Sequence, residues 1–283
     1  MDVIRTIPDA AARSEKLRQL GHTIALVPTM GFFHQGHLDL MRKGRELADD
    51  LVVSLFVNPT QFGPNEDYAT YPRDTDRDLA LAAETGVDAV FMPDADEIYP
   101  KGFQTYVDQT DLPEHLCGLS RPGHFRGVMT VVAKLFNIIR PHMAIFGEKD
   151  YQQLTVIRQM VRDLNFNIDI HGLPTVRETD GLAMSSRNTR LHPEQRKAAL
   201  SLNQSLQAMQ ERVQNGENRA DRLINEATAI IQANPDASID YIKISDAQTL
   251  ADIAIIDRPV LMALAVKIGG IRLIDHAILD PAS

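Results

Sequence analysis

Cysteine is almost absent from this chain: Cys117 is the only one among 283 residues. A single thiol forms no intrachain disulfide and does not provide the cysteine pairs of a zinc site, so both are excluded. We interpret Cys117 as a small buried apolar residue rather than a nucleophile, because no histidine-based dyad is evident. A chain that needs no disulfide suits a reducing compartment, and we expect a cytoplasmic protein.

Positive charge is also in short supply. The 29 Lys and Arg residues are outnumbered by 38 Asp and Glu residues, which gives a net charge of −9 at pH 7. Nucleic acids and anionic membranes favour basic surfaces, so we predict that the protein binds neither. The sequence also lacks an apolar run long enough to span a membrane, and its first 21 residues lack the apolar core of a signal peptide.

Short apolar runs alternate with helix-like patterns from about residue 22 to about residue 177. The strands are apolar throughout, which is typical of strands covered on both faces. The alternation predicts an α/β fold with a doubly wound parallel, Rossmann-like sheet, in which ligands bind beyond the carboxyl ends of the strands. Predicted strands cover residues 23–30, 51–59, 87–93, 143–147 and 166–174, and predicted helices cover residues 38–49, 74–86, 127–141 and 151–164.

The pattern changes after about residue 177. Two long helical patterns, residues 193–214 and 218–233, precede two apolar runs that are separated by Gly269-Gly270. Paired glycines between apolar runs are typical of a tight turn between antiparallel strands. We therefore predict two domains: residues 1–177 form the Rossmann-like domain, and residues 178–283 form a smaller α+β domain.

The segment PTMGFFHQGHLDLMRKG, residues 28–44, follows the first predicted strand. It has three interpretations. His34 and His37 form a weak metal signature, because the sequence offers no cluster of further ligands. Glycines on either side of them are typical of an ordinary turn. Alternatively, the segment would form a phosphate-binding site, because it joins a strand end to glycines and to a helix that begins near Leu38. The chain contains no GxxxxGK[ST] P-loop that would bind phosphate instead.

A second polar segment, RETDGLAMSSRNTRL, covers residues 177–191. Its composition is typical of a loop between domains. The two hydroxyls of Ser185 and Ser186 and the guanidinium of Arg187 also suit the binding of a triphosphate. The segment FGEKDYQQL, residues 146–154, has the same two interpretations. It is either a solvated corner or, at the end of a parallel strand, a place from which Lys149 reaches phosphate.

Amides follow the second predicted strand. Asn58 and Gln61 can bind a hydroxyl or a carboxylate without a competing charge, although a plain strand–turn also accounts for Asn58. Asp78 lies in the first turn of a predicted helix, and we interpret it as an acid that serves the helix dipole rather than as a magnesium ligand. Arg121, His124 and Arg126 precede another predicted helix, where an anion would be favoured.

Together these segments resemble a known superfamily. His34-Gln35-Gly36-His37 resembles the HxGH signature of nucleotidyltransferases, and Met184-Ser185-Ser186-Arg187, about 150 residues later, resembles their KMSKS-type loop. Six motifs between residues 28 and 188 further resemble the pantothenate synthetase family, the pantoate–β-alanine ligases: PTMGxxHxGH, FVNPxQF, YPR, CGxxRPGHFxGV, FGEKDYQQL and PTVRExDGLAMSSRN. Phe33 departs from the family pattern, which usually has Leu before the first histidine.

This resemblance implies a two-step reaction. Pantoate would attack ATP to give pantoyl adenylate and pyrophosphate, and β-alanine would then displace AMP to give pantothenate. It also implies Mg²⁺ with the ATP, a homodimer, and a smaller C-terminal domain that acts as a lid; the metal ligands stay unknown. The nearest rival is a nucleotidyltransferase that leaves the nucleotide on its product. A tRNA-charging fragment and a catalytically idle regulator that binds nucleotide are further alternatives.

The resemblance also implies roles for residues. His37, as proton donor, and His34 would act in catalysis with Lys149, Ser185, Ser186 and Arg187. Gln61 and Gln153 would bind pantoate, and Gln61 would also bind β-alanine. The residues that would bind ATP are Met30, Gly31, His34, Gly36, His37, Gly147, Glu148, Lys149, Asp150, Val176, Met184, Ser185, Ser186 and Arg187.

Overall fold

The computed structural model of the protein describes residues 1–64 and 66–281. These residues form two compact units. The N-terminal unit comprises Met1–Thr110, Arg121–Glu148 and Gln153–Pro174. The C-terminal unit comprises Asp111–Ser120, Lys149–Gln152 and the chain from Thr175 onward.

A six-stranded parallel sheet forms the centre of the N-terminal unit. Its strand order is β1-β4-β3-β2-β5-β6, and each neighbouring pair runs parallel. The predicted doubly wound parallel sheet is therefore confirmed. The strands are β1 (Asp2–Ile4), β2 (Ile24–Thr29), β3 (Asp50–Leu55), β4 (Ala89–Phe91), β5 (Met143–Gly147) and β6 (Asp169–Leu173).

Nine α-helices occur in the described part of the chain. They are α1 (Ile7–Gln19), α2 (Gln35–Leu47), α3 (Thr75–Glu84), α4 (Ala95–Ile98), α5 (Leu116–Ser120), α6 (His124–Ile139), α7 (Tyr151–Asp163), α8 (Pro193–Gln214) and α9 (Ala220–Gln232). None of the helices among residues 1–64 and 66–281 is long and apolar enough to cross a membrane.

The central strands are buried because helices cover both faces of the sheet. Ile24 and Leu26 of β2 and Leu51 of β3 have no exposed surface. Burying an aliphatic side chain of this size contributes about 1.5 to 3 kcal/mol. Helix α2 lies close to this sheet at Gly44, where an added Cβ would come within 2.6 Å of the Leu51 side chain. The glycine thus fixes how closely the helix that carries both histidines packs on the sheet.

The C-terminal unit contains a three-stranded antiparallel sheet. Its strands are β7 (Ala237–Ser245), β8 (Val260–Ile268) and β9 (Ile271–Leu279), in the order β7-β8-β9. Gly269 and Gly270 both have positive φ, 54° and 85°, and make the predicted turn between β8 and β9. Helices α8 and α9 share an apolar core with this sheet. The predicted α+β arrangement is confirmed.

Candidate active site

Polar segments follow the carboxyl ends of three parallel strands. The loop 30–34 follows β2, a 3₁₀ turn at Pro59–Gln61 follows β3, and another at Glu148–Asp150 follows β5. Strands β2 and β5 are neighbours at the point where the strand order changes direction. Ligands bind at such switch points in doubly wound sheets. The fold therefore places the HxGH segment where a ligand is expected.

The two histidines are part of the start of α2. His34 is the N-cap residue and the helix begins at Gln35. The predicted helix start near Leu38 was therefore wrong by about one turn. The usual N-cap residues are Ser, Thr, Asp and Asn, and the sequence has none of them at this position because the histidines themselves make the cap. Both imidazoles consequently lie at the amino end of the helix, where its dipole favours an anion.

Their contacts assign a donor to His37. The rings of His34 and His37 are side by side, with centroids 4.1 Å apart. The backbone N–H of His34 donates to Nδ1 of His37 over 3.3 Å. An accepting Nδ1 puts the proton of the neutral imidazole on Nε2, so the opposite edge of the ring presents an N–H donor. That edge can donate to a phosphate oxygen.

The loop in front of the histidines is tied to α3 through Asp78. Its carboxylate is 1% exposed and accepts the backbone N–H groups of Phe32 over 2.6 Å and Phe33 over 2.7 Å. Burial raises the pKa of Asp78, although both N–H donors act in the opposite direction. The interpretation as a helix-dipole acid accounts for a place in the first turn but not for this burial. No sequence signal joined Asp78 to a loop 45 residues earlier.

Gln61 is held in a network of amides. Nδ2 of Asn58 donates to Oε1 of Gln61 over 3.1 Å, and Nε2 of Gln61 lies 3.1 Å from the sulfur of Met30. Tyr99 donates to Oδ1 of Asn58 over 2.8 Å, and burial raises the pKa of Tyr99 to about 12, which keeps its hydroxyl a neutral donor. Asn58 and Gln61 are both at least nine-tenths buried. The amide orientation of Gln61 is therefore fixed by the protein.

The segment before α6 packs over the same turn. Nδ1 of His124 lies 2.8 Å from the carbonyl oxygen of Gln61. Arg121 makes two 2.6 Å hydrogen bonds to Glu66 through Nε and Nη2. Burial acts to raise the pKa of Glu66, but the Arg121 hydrogen bond and charge outweigh it, so the pKa is lowered. Arg121 and His124 thus hold the Gln61 turn, whereas Arg126 lies over the ring of Tyr106 at 4.1 Å.

The FGEKDYQQL segment begins at the end of β5. Gly147 is the last residue of that strand, and Glu148 and Asp150 bound the 3₁₀ turn. Within the C-terminal unit, Nζ of Lys149 lies 3.9 Å from Asp150. Lys149 is therefore paired only loosely with its neighbour.

The two adjacent glutamines of α7 have different surroundings. Gln152 is buried and its amide is saturated: it accepts the N–H of Cys117 and donates to the carbonyl oxygens of Leu112 and His115. Gln153, the residue expected to bind pantoate, is half-buried in the N-terminal unit. The structural glutamine and the candidate binding glutamine are thus neighbours in sequence.

The MSSR segment is braced inside the C-terminal unit. The N–H of Met184 donates to the carbonyl oxygen of Val176 over 2.9 Å, which brings two expected ATP residues together. Ser185 caps the following 3₁₀ turn by accepting the N–H of Arg187 over 3.3 Å. Ser186 is buried, with 7% of its surface exposed.

Residues 1–64 and 66–281 offer no metal-binding cluster. No group of three or more His, Cys, Asp or Glu side chains in that part of the chain could hold a metal ion. Within that part of the chain, no third His, Cys, Asp or Glu side chain joins His34 and His37 in a group that could hold a metal ion. Phosphate binding is the interpretation that their geometry favours.

Known proteins are similar to this chain over almost its whole length. A family model described as pantoate–β-alanine ligase matches residues 2–278. A pantothenate synthetase of Desulfatibacillum aliphaticivorans is 59% identical over 281 residues, which covers 99% of this chain and 100% of that protein. The crystal structure of pantothenate synthetase from Thermus thermophilus is 43% identical, with a TM-score of 0.93 over 99% of this chain and 100% of that chain.

A further solved structure was determined with ligands. It is the pantoate–β-alanine ligase of Francisella tularensis, complexed with beta-gamma ATP and beta-alanine. It is 34% identical, with a TM-score of 0.81 over 98% of this chain and 97% of that chain. The family model and these relatives each cover almost the whole chain, and they show that it is an enzyme of the ligase class that belongs to the pantoate–β-alanine ligase family.

Proposed function

We propose that the enzyme condenses (R)-pantoate with β-alanine through a pantoyl adenylate, and that it releases pyrophosphate in the first step and AMP in the second. The family membership and the Francisella relative's ligands support ATP and β-alanine as substrates. A carboxylate is a poor acyl donor because oxide is a poor leaving group. Adenylation replaces oxide with AMP, so no enzyme nucleophile is needed and catalysis rests on positioning and charge stabilisation.

The observation that carries this proposal is the hydrogen bond from His34 N–H to Nδ1 of His37. It presents Nε2–H of His37 as a fixed donor at a helix amino terminus. As pyrophosphate departs, negative charge grows on the bridging and β-phosphate oxygens, and a fixed donor there stabilises the transition state more than the ground state. We assign to His37 the donation of a hydrogen bond from Nε2–H to the departing pyrophosphate, with the proton staying on the ring, and to His34 the binding of phosphate.

The remaining ATP contacts are assigned by the motifs. Lys149, Ser185, Ser186 and Arg187 supply charge and hydroxyl donors for the triphosphate. The local geometry supports this role, since the Ser185 hydroxyl oxygen accepts the N–H of Arg187 and the N–H of the adjacent Met184 donates to the carbonyl oxygen of Val176. The further ATP residues proposed are Met30, Gly31, Gly36, Gly147, Glu148, Asp150 and Val176.

Gln61 and Gln153 are proposed to bind pantoate, and Gln61 also to bind β-alanine. Oε1 of Gln61 accepts from the amide of Asn58, and Nε2 uses one of its two N–H donors on the sulfur of Met30; the second N–H is proposed to donate to the ligand. A neutral amide donor suits a carboxylate that must remain nucleophilic, because an ion pair with a full positive charge would lower the nucleophilicity of its oxygens.

The other proposals concern the setting of the reaction. Mg²⁺ is proposed to enter as part of the MgATP substrate, with no set of protein ligands assigned. A homodimer and a lid role for residues 178–283 are proposed from the family resemblance. The division into residues 1–177 and 178–283 is proposed from the change of sequence pattern, and a cytoplasmic location from the single cysteine.

The product balance tests the proposed reaction. The purified protein is incubated with MgATP and pantoate, with and without β-alanine, and pyrophosphate, AMP and pantothenate are measured. We expect pyrophosphate release of about one equivalent per active site without β-alanine, and continuous AMP and pantothenate release with it. Steady pyrophosphate release without AMP would instead indicate a transferase that leaves the nucleotide on its product.

A further inference from the structure

We propose that Asp78 is a positioning residue for the triphosphate site: its carboxylate holds the loop that carries His34 and His37 in its binding conformation. The proposal rests on the reaction proposed above for the role of the histidines. It concerns a side chain that belongs to a different helix and that has no place in the ligand set.

The carboxylate accepts two of three consecutive loop N–H groups. Oδ2 of Asp78 accepts from Phe32, Oδ1 accepts from Phe33, and the third N–H, of His34, donates to His37. All three donors are thus satisfied by side chains of the protein. The N–H groups of Phe32 and Phe33 are aimed at Asp78, so they are not the groups that meet the phosphates. Within this segment, phosphate binding is therefore proposed for the imidazoles and the amino end of α2.

The backbone of this loop needs such support. Gly31 and Phe32 both have positive φ, 85° and 52°. For Phe32 the left-handed conformation costs about 1 kcal/mol, because its Cβ is crowded by the following carbonyl. A Cβ added to Gly31 would come within 2.9 Å of Oδ2 of Asp78, so glycine also permits the carboxylate to approach. Two charged hydrogen bonds offset the cost and hold the loop in this shape.

The Asp78 carboxylate is closed to solvent and already accepts hydrogen bonds from the protein. Its side chain is 1% exposed, and the nearest cation, Nη1 of Arg77, is 4.0 Å away. The guanidinium of Arg77 lies over the ring of Phe32 at 5.5 Å. A carboxylate that already accepts two backbone donors and is closed to solvent is arranged to hold the chain.

The Asp78→Asn variant tests the proposal. The amide retains the size of the side chain but has one acceptor oxygen, and its NH₂ group would face a backbone N–H. We expect pantoate-dependent exchange of pyrophosphate into ATP to fall at least about tenfold and the ATP dissociation constant from calorimetry to rise about tenfold. Formation of pantothenate from added pantoyl adenylate and β-alanine should stay within about twofold of wild type, because that step involves no departing pyrophosphate.

Asp76→Asn is the matched control. Asp76 lies in the same first turn of α3, is exposed, and undergoes the same charge change. We expect wild-type values for both half-reactions and for ATP affinity. Asp78→Glu is the second variant, used if Asp78→Asn does not fold. It keeps the buried charge and both acceptors but displaces them by a methylene, and the same selective loss of exchange is expected.

The outcomes separate this proposal from the proposed reaction. Equal losses in both half-reactions, or no loss in exchange and ATP affinity, overturn the positioning role of Asp78. Wild-type protein that shows no exchange overturns the adenylate mechanism, and in that case the ATP dissociation constants of wild type, Asp78→Asn and Asp76→Asn still decide the role of Asp78.

Discussion

Arg177 and Asp275 form a two-pronged ion pair inside the C-terminal unit. Nη1 and Nη2 of Arg177 donate to Oδ2 and Oδ1 of Asp275 over 2.7 and 2.9 Å. Arg177 also donates to the carbonyl oxygen of Gly181 over 3.1 Å. The pair therefore fixes the turn between Val176 and Met184 to strand β9, and that turn leads directly into the MSSR segment.

Removal of this pair should be costly. Asp275 is 2% exposed at its side chain and Arg177 is 28% exposed, so Asp275→Ala leaves a largely buried guanidinium without its carboxylate partner, and only the carbonyl oxygen of Gly181 still accepts from it. We expect the free energy of unfolding to fall by about 3 kcal/mol, as measured by urea denaturation. Asp257→Ala is the control, because its pair with Arg258 is exposed on both sides and should change stability by less than about 0.5 kcal/mol. Similar effects of the two substitutions would contradict this account.

His37→Ala should abolish adenylation and leave the fold intact. The substitution removes the Nε2–H donor, and it also removes the acceptor for the His34 N–H at a half-buried position where water can replace it. We expect pantoate-dependent exchange of pyrophosphate into ATP to fall by at least about a hundredfold, with an unchanged melting temperature. His22→Ala, at an exposed position, is the control. Wild-type exchange in the His37 variant would refute the assigned role.

The neighbouring glutamines of α7 should respond differently to alanine. Gln153→Ala is expected to raise the KM for pantoate about tenfold or more, with no change in melting temperature or in ATP affinity. Gln152→Ala leaves the N–H of Cys117 and two carbonyl oxygens without their partner, and should lower the free energy of unfolding by about 2 kcal/mol. Thermal melts and initial rates at varied pantoate check both. A loss of ATP affinity in the Gln153 variant would contradict its role.

Asp246 should give the C-terminal unit an acid-sensitive stability. The N–H groups of Thr249 and Gln248 and the hydrogen bond from Arg258 lower the pKa of Asp246 to about 2. A depressed pKa means that Asp246 contributes stability above its unfolded pKa of about 4, and that this contribution is lost as the pH falls toward 2. Asp246→Asn should therefore lower the melting temperature at pH 7 but not near pH 2. A constant difference across that range would exclude this linkage.

The parallel sheet could be predicted because its signal is local. The central strands β2 and β3 are each six residues long, mostly apolar and almost wholly buried. Helix α8 was predicted at residues 193–214 and is observed at Pro193–Gln214. Strand β1 and helix α1 went unpredicted, since α1 is a surface helix with few buried residues and gives a weak periodic signal.

The contacts that hold the candidate site could not be predicted in the same way. Asp78 reaches Phe33 across 45 residues, and Arg177 reaches Asp275 across 98. Only the folded chain brings such partners together, and a lone acid in a helix's first turn has the same sequence signature whether it is exposed or buried. Residues that contact ligands recur in motifs, whereas the residues that position them are dispersed.

We expect Phe33→Leu, which restores the leucine that the resemblance led us to expect before the first histidine, to affect stability rather than chemistry. The side chain is 1% exposed and its ring centroid lies 5.5 Å from that of His37, at an interplanar angle of 49°. Leucine is smaller but keeps the site apolar, so the free energy of unfolding should fall by about 1 kcal/mol. Pyrophosphate exchange should stay within about twofold of wild type, because the orientation of His37 is set by its hydrogen bond to the His34 backbone.

Phe136→Leu is the matched control. Phe136 is a buried phenylalanine of α6, 2% exposed, and lies outside the histidine loop. Both variants are compared by urea denaturation and by the exchange assay. A large loss of exchange in Phe33→Leu but not in Phe136→Leu would contradict this account, and it would mean that the Phe33 ring itself holds His37 in place.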